Sequence, residues 1–185
     1  MSMQSKATQL LFDEHEVISS IASVIAQIDK TWEKDAANYT SSVNGLLRFL
    51  KEYSDGYHHQ KEEEILFPQM VSKNEMLDGI IDELIEHHED LRGHVQRIEQ
   101  ELNAGNFASV QQKLAEYLDG LLDHIAIEND ELFQMAETLF MENELDDIYF
   151  RMLDKDRELG KEAKRQLEAT IKELCALIES SASAS

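Results

Sequence analysis

The segment His58-His59-Gln60-Lys61-Glu62-Glu63-Glu64-Ile65-Leu66-Phe67 has a counterpart of similar pattern later in the chain, His124-Ile125-Ala126-Ile127-Glu128-Asn129-Asp130-Glu131-Leu132-Phe133. In both, a glutamate follows a histidine by four residues, and a Leu-Phe pair closes the stretch. Residues i and i+4 lie on one face of a helix, so each stretch can direct an imidazole and a carboxylate at a common point. The repeat predicts two helical units that carry metal-ligand chemistry.

Each unit is preceded by a helical segment with a lone histidine in its apolar stripe. His15 lies between Leu11 and Ile18, and His88 lies between Leu84 and Leu91. A single inward histidine is usually a hydrogen-bonded core residue, but four of them together with two carboxylates favour a site for two metal ions. The predicted ligands are His15, His58, Glu62, His88, His124 and Glu128.

The histidine doublets are assigned by helical periodicity. Steps of four, eight and eleven residues back from His58 reach Ser54, Leu50 and Leu47, whereas the same steps from His59 reach Asp55, Lys51 and Arg48. His58 is therefore predicted to point inward and His59 toward water, with His59 and Glu63 as the alternative ligand pair. By the same test His88, rather than His87, lies on the apolar seam. Surface or supporting roles are predicted for the three remaining histidines, His59, His87 and His94.

Apolar periodicity predicts an all-α protein with few breaks, since the chain has only seven Gly and one Pro. The expected architecture is an up-down-up-down four-helix bundle with an additional C-terminal helix. Helices are predicted over residues 4–33, 40–72, 75–103, 107–140 and 144–178. Pro68 is expected to kink or end the second helix. One domain is predicted over residues 1–179, with the metal-bearing bundle at about 4–140 and a flexible tail at 180–185.

Composition restricts the partners and the metal ligands. The formal net charge of −21 argues against nucleic-acid binding, which requires Lys and Arg to replace phosphate counterions. There is no basic and apolar leader and no apolar run of ~18 residues, so we expect no membrane association and a cytoplasmic location. A single cysteine leaves nitrogen and oxygen atoms as the metal ligands. A protein partner and the oligomeric state are not predicted.

The order of these motifs, a single His, H-x-x-x-E, a single His and H-x-x-x-E, resembles the hemerythrin-like (HHE cation-binding) family from His15 to Phe133. The resemblance implies a non-haem di-iron centre completed by a bridging hydroxide or oxide. His15 and His58 would bind one iron and His88 and His124 the other, with Glu62 and Glu128 bridging them. Zinc or manganese could occupy the same nitrogen and oxygen ligands.

Two positions depart from the oxygen-carrying members of that family. Arg92 stands where those proteins have a fifth histidine, and Asn129 stands where they have an aspartate, so that Glu128 supplies the carboxylate. Each iron would then have five donors and one open position. A glutamate or a tyrosine, such as Tyr53 or Tyr117, is a candidate for filling one of them.

We therefore expect a protein that binds or redox-processes a small ligand such as O2, NO or peroxide, with both irons accessible to it. An enzymatic peroxide- or NO-processing activity is one form that this function could take. The alternatives are iron sensing or storage through metal-dependent stability of the bundle, and reversible oxygen binding.

Overall fold

The protein is almost entirely helical in the part of the chain that is described, which in this computed structural model is residues 4–182, with side chains through residue 174. The α-helices are α1 (Lys6–Ser19), α2 (Ile21–Ile28), α3 (Ala36–Phe49), α4 (Phe67–Lys73), α5 (Asp78–Asn103), α6 (Phe107–Ile127), α7 (Phe133–Leu139), α8 (Glu142–Leu159) and α9 (Lys161–Ala182). π-Helical segments cover Leu50–His59, Glu62–Leu66 and Glu128–Leu132, and 3-10 turns cover Thr31–Glu33 and Glu75–Leu77. The predicted all-α class is confirmed, whereas the up-down-up-down order stays a prediction.

The predicted first helix, residues 4–33, consists of two helices, α1 and α2, with an interruption at Ser20. The hydroxyl of Ser20 donates a hydrogen bond of 2.6 Å to the carbonyl of Val17, and this local bond competes with the helical ladder where α1 gives way to α2. The rod ends after Ile28, because Asp29 has extended backbone and Lys30 has a left-handed φ of 58°.

The predicted second helix is one continuous rod formed by α3, two π-helical segments and α4. Pro68 does not end it, since α4 continues to Lys73. The wide π-helical turn Glu62–Leu66 immediately precedes the proline, and such turns are a known cause of helix distortion. The rod stops at Asn74, which has extended backbone and whose side chain accepts a 3.1 Å hydrogen bond from the Met76 N–H.

The third and fourth helices agree closely with the sequence prediction. Helices α5 and α6 lie along each other, joined by a short turn in which Gly105 has a φ of 75°. The fourth rod continues from α6 through the π-helical segment Glu128–Leu132 into α7 and ends at Leu139.

The prediction of a single fifth helix over residues 144–178 was wrong. Two helices, α8 and α9, meet at Gly160, whose φ of 88° lies outside the helical region. Helix α8 packs against α1, and α9 packs against α2 and α3. Of the predicted tail, residues 180–182 belong to α9 and residues 183–185 lie outside the described residues. The assignment of one domain stays a prediction.

Two apolar clusters fill the interior, and a polar layer separates them. The α2 cluster includes Ile18, Leu91 and Leu121, and the α7 cluster includes Leu11 and Leu84. His15 lies between Leu11 and Ile18 along α1, and His88 lies between Leu84 and Leu91 along α5. The predicted metal ligands therefore fall at the level where the two clusters meet.

Candidate metal centre

Seven buried side chains form two adjacent groups of possible metal ligands. In each group, one ligand atom per residue lies within 4.8 Å of the others. The two-histidine group contains His15, His58, Glu62 and Glu128, and the three-histidine group contains His59, His88 and His124. All six residues predicted from the sequence are brought together, and His59 joins them.

The two glutamates lie between the groups. The Oε2 atom of Glu128 lies 3.2 Å from His15 Nε2 and 3.2 Å from His124 Nε2. The Oε2 atom of Glu62 lies 3.6 Å from the Nε2 atoms of both His58 and His88. Each carboxylate thus faces one imidazole of each group, which is the arrangement that a pair of bridging carboxylates requires.

Several polar atoms that face this space have no hydrogen-bond partner among the described residues. They include His15 Nε2, His58 Nε2 and both carboxylate oxygens of Glu62 and of Glu128. Buried polar atoms in folded proteins are nearly always paired, and an unpaired group of this kind calls for an ion or water. Imidazole nitrogens and carboxylate oxygens are the donors that iron, zinc and manganese accept, so the residues present fit a pair of such ions.

The prediction that His59 faces water was wrong. Its side chain is only 3% exposed, and its ring stacks on that of His88 with centroids 3.8 Å apart. His87, in contrast, is exposed and His94 is half-buried, and neither belongs to either group.

The backbone explains why both members of the doublet point inward. His58 and His59 end the π-helical segment Leu50–His59. A π-helix closes with i→i+5 hydrogen bonds and is wider than an α-helix, so each residue turns the chain by less than the roughly 100° of an α-helix. Stepping back by four residues therefore no longer returns to the same face, and the periodicity test fails in this segment.

The Leu-Phe pair of the repeat also has a structural role. The N–H of Phe67 donates to the carbonyl of Glu62, and the N–H of Phe133 donates to the carbonyl of Glu128. Both are i→i+5 bonds that start at a candidate ligand. The two copies of the repeat thus share a π-helical turn as well as a sequence.

Four of the five histidines have a polar partner on Nδ1, which directs Nε2 toward the centre. His15 bonds Asn129 at 2.8 Å, His58 bonds Glu14 at 3.0 Å, His88 bonds Glu63 at 2.6 Å and His59 contacts Asp55 at 3.4 Å. Such partners fix the tautomer and the ring orientation of a metal-binding imidazole. Neither Glu14 nor Asp55 was singled out from the sequence, because a buried acid has no signature of its own in a chain with 38 Asp and Glu.

Arg92 holds two of these carboxylates in place. Its guanidinium lies 2.7 Å from Asp55 and 2.7 Å from Glu63, the partners of His59 and His88. Arg92, which stands where the oxygen-carrying members of the family have a fifth histidine, therefore supports two other histidines. His59 brings an additional imidazole to the three-histidine group.

The protonation of the centre follows from burial and from these partners. Burial lowers the pKa of His58 to about 4, with a further contribution from His15, so this ring is neutral at pH 7. Burial and the neighbouring Glu128 raise the pKa of Glu62 well above its usual value. Burial tends to raise the pKa of Glu128 too, but His124 and His15 outweigh it and the net shift is downward. In the metal-free protein, Glu62 is thus the carboxylate that retains its proton.

The comparisons with known proteins identify the family of the chain. No helix among the described residues is long and apolar enough to cross a membrane. Neither the curated proteins nor the solved structures give a match to the chain. The family model "Hemerythrin HHE cation binding domain" matches residues 6–136, a segment that contains all seven clustered side chains and most of the chain. The chain therefore belongs to the hemerythrin HHE cation-binding domain family.

Proposed function

We propose that the protein binds two iron ions, one in each ligand group, and that the ion of the two-histidine group takes a small ligand such as O2, NO or peroxide. The observation that supports this most directly is the position of Glu62 and Glu128, each of which faces one imidazole of each group. Iron is proposed because of the family, and zinc or manganese would find the same donors.

Counting the donors makes the two ions unequal. The ion of the three-histidine group would be held by His59, His88 and His124 and by one oxygen from each glutamate. The ion of the two-histidine group would have one protein donor fewer, which would leave more room for a small ligand. With His59 included, the expectation of two accessible ions is replaced by one accessible ion, and Tyr53 and Tyr117 are not needed as ligands.

The chemistry supplied by a bound iron pair would be redox exchange with the small ligand. The Nδ1 partners orient the imidazole rings. The surrounding residues exclude water from the site, since every proposed ligand is at least 97% buried. An enzymatic activity, reversible oxygen binding and the cytoplasmic location all stay predictions.

Metal analysis and the absorption spectrum of the purified protein test this proposal. We expect two iron ions per chain and the bands of an oxygen-bridged ferric pair. Glu62→Ala or Glu128→Ala should lower the content to one ion or none, because each removes a donor to both ions. His87→Ala and His94→Ala are the matched controls and should retain two. A content of one ion in the wild-type protein, or normal content in both glutamate variants, would refute the paired site.

A second candidate function, iron sensing through metal-dependent stability, is favoured by the unpartnered buried atoms. Burying carboxylates and imidazoles without partners is costly, so the metal-free bundle should be looser than the loaded one. Rapid consumption of peroxide or NO by the iron-loaded protein would favour the redox function. Slow consumption combined with a large difference in protease resistance between the metal-free and loaded protein would favour sensing.

A further inference from the structure

A second group of charged residues lies beside the metal centre and is buried with it. Lys61 is 0% exposed, and its ammonium group binds the carboxylate of Glu14 and lies 2.7 Å from Asp156. Lys164 reaches the same carboxylates, at 3.4 Å from Glu14 and 3.7 Å from Asp156. The ammonium of Lys61 also lies 3.5 Å from the ring centroid of Tyr57, and Lys164 lies 2.6 Å from the Tyr57 hydroxyl.

This network connects the C-terminal helices to the metal centre. Asp156 belongs to α8 and Lys164 to α9, whereas Glu14 belongs to α1. One oxygen of Glu14 accepts the Nδ1 hydrogen bond of His58, and the other binds the two lysines. A shift of α8 or α9 would therefore change the position of the Glu14 carboxylate, which orients His58.

The three-histidine group has a separate support of the same kind. Arg92 of α5 holds Asp55 and Glu63, which in turn contact His59 and His88. None of these residues contacts Lys61 or Lys164 among the described ion pairs. Each ligand group thus has its own cation-held carboxylates, and only those of the two-histidine group depend on α8 and α9.

We propose that Glu14, Lys61 and Lys164 are positioning residues for the ion of the two-histidine group alone, so that α8 and α9 control whether that ion is bound. The inference rests on the proposed two-ion centre. A partner carboxylate fixes the ring and increases its basicity, and losing one typically lowers metal affinity by roughly 10–100-fold. The other imidazole of this group, His15, is oriented only by the neutral amide of Asn129, so His58 is the one ligand there with a charged support.

Stepwise metal binding tests the proposal. The metal-free protein is titrated with Co²⁺, and the two binding constants are assigned to the groups with His58→Ala and His59→Ala, each of which should remove one step. Lys164→Gln and Glu14→Gln should weaken binding at the two-histidine group by roughly tenfold or more, and leave the three-histidine group within about threefold. Arg92→Gln is the matched variant and should give the reverse pattern.

Two further measurements separate positioning from a general loss of structure. Lys164→Arg keeps the charge and should restore the binding constant of the two-histidine group. In the metal-free protein, the His58 Nδ1–H proton should be detectable by NMR in the wild type and should exchange faster in Lys164→Gln, at unchanged helical circular dichroism. Equal weakening of both ions by Lys164→Gln and Glu14→Gln, or no weakening at all, overturns the proposal while leaving the two-ion centre intact. A wild-type protein that binds fewer than two Co²⁺ ions overturns both.

Discussion

His58 and His59 are adjacent in sequence, yet both side chains lie within the metal centre. One belongs to the two-histidine group and the other to the three-histidine group. Their side chains diverge from a π-helical backbone, so each can serve a different ion. Two consecutive residues thus contribute one candidate ligand to each group.

The role of His59 can be tested directly. His59→Ala should lower the bound metal from two ions toward one per chain, because the three-histidine ion loses one of its imidazoles. The measurement is metal content after dialysis, with the exposed His87 replaced by alanine as the control. Retention of two ions in the His59 variant would show that only the six ligands predicted from periodicity are needed.

The raised pKa of Glu62 predicts that metal binding releases a proton. The metal-free carboxyl group retains its proton above the ordinary range of glutamate, whereas a bridging ligand must be ionised. Metal affinity should therefore increase as the pH rises toward the raised pKa and level off above it. Titration calorimetry in two buffers with different ionisation enthalpies counts the released protons, and Glu62→Gln should release about one fewer. Equal proton release by the two proteins would contradict the protonated state of Glu62.

At the scale of elements, the rods differ in how well their boundaries follow from sequence. Helix α5, and the rod that begins with α6 and ends at Leu139, carry sustained apolar stripes and end close to the predicted positions. The departures occur at Ser20, at the end of α2, at the π-helical segments and at Gly160, where hydrogen bonding or a single dihedral angle changes the course of the chain. A periodicity argument assumes a constant rotation per residue, so it has no means of locating either.

Gly160 separates α8 from α9, and its φ of 88° is disfavoured for residues with a side chain. Gly160→Ala should lower the free energy of unfolding by about 1–3 kcal/mol, the usual cost of such a backbone conformation. Gly120→Ala is a suitable control, because Gly120 lies in α6 and an added Cβ would meet nothing within 4 Å. The free energy of unfolding of that variant should be higher by about 0.5–1 kcal/mol, because alanine has a higher helix propensity than glycine. Urea denaturation of both variants checks the difference, and equal effects would indicate that the α8–α9 junction tolerates a side chain.

At the scale of the whole molecule, the polar layer between the two apolar clusters links folding to metal binding. Each cluster consists of buried apolar side chains, but the layer between them contains carboxylates and imidazoles without partners. Metal ions supply those partners only when all four ligand-bearing rods are in place. Metal binding and the docking of the two clusters should therefore stabilise each other.

Removal of the metal should lower the thermal midpoint of the protein. Free metal at 100 times its dissociation constant stabilises a folded protein by about 2.7 kcal/mol per site. For a chain of this size, that corresponds to roughly 5–11 °C for each ion removed. Calorimetry before and after chelation measures the change, and hydrogen exchange should show the largest loss of protection at residues 50–66 and 124–132. An unchanged midpoint would also remove the basis for the sensing function.

The sequence was sufficient to predict the helical class, six candidate ligands and a family resemblance that the family match later established. These features follow from residue spacing, which a helix converts directly into faces. The three-dimensional structure was needed to show that His59 faces the candidate centre, that Glu14, Asp55 and Glu63 contact three imidazoles, and that α8 and α9 reach the centre through Lys61 and Lys164. These contacts join residues that are far apart in the chain, or they depend on a local change of helical pitch. Neither feature produces a periodic pattern of residues, so neither can be predicted from the spacing of residues in the sequence.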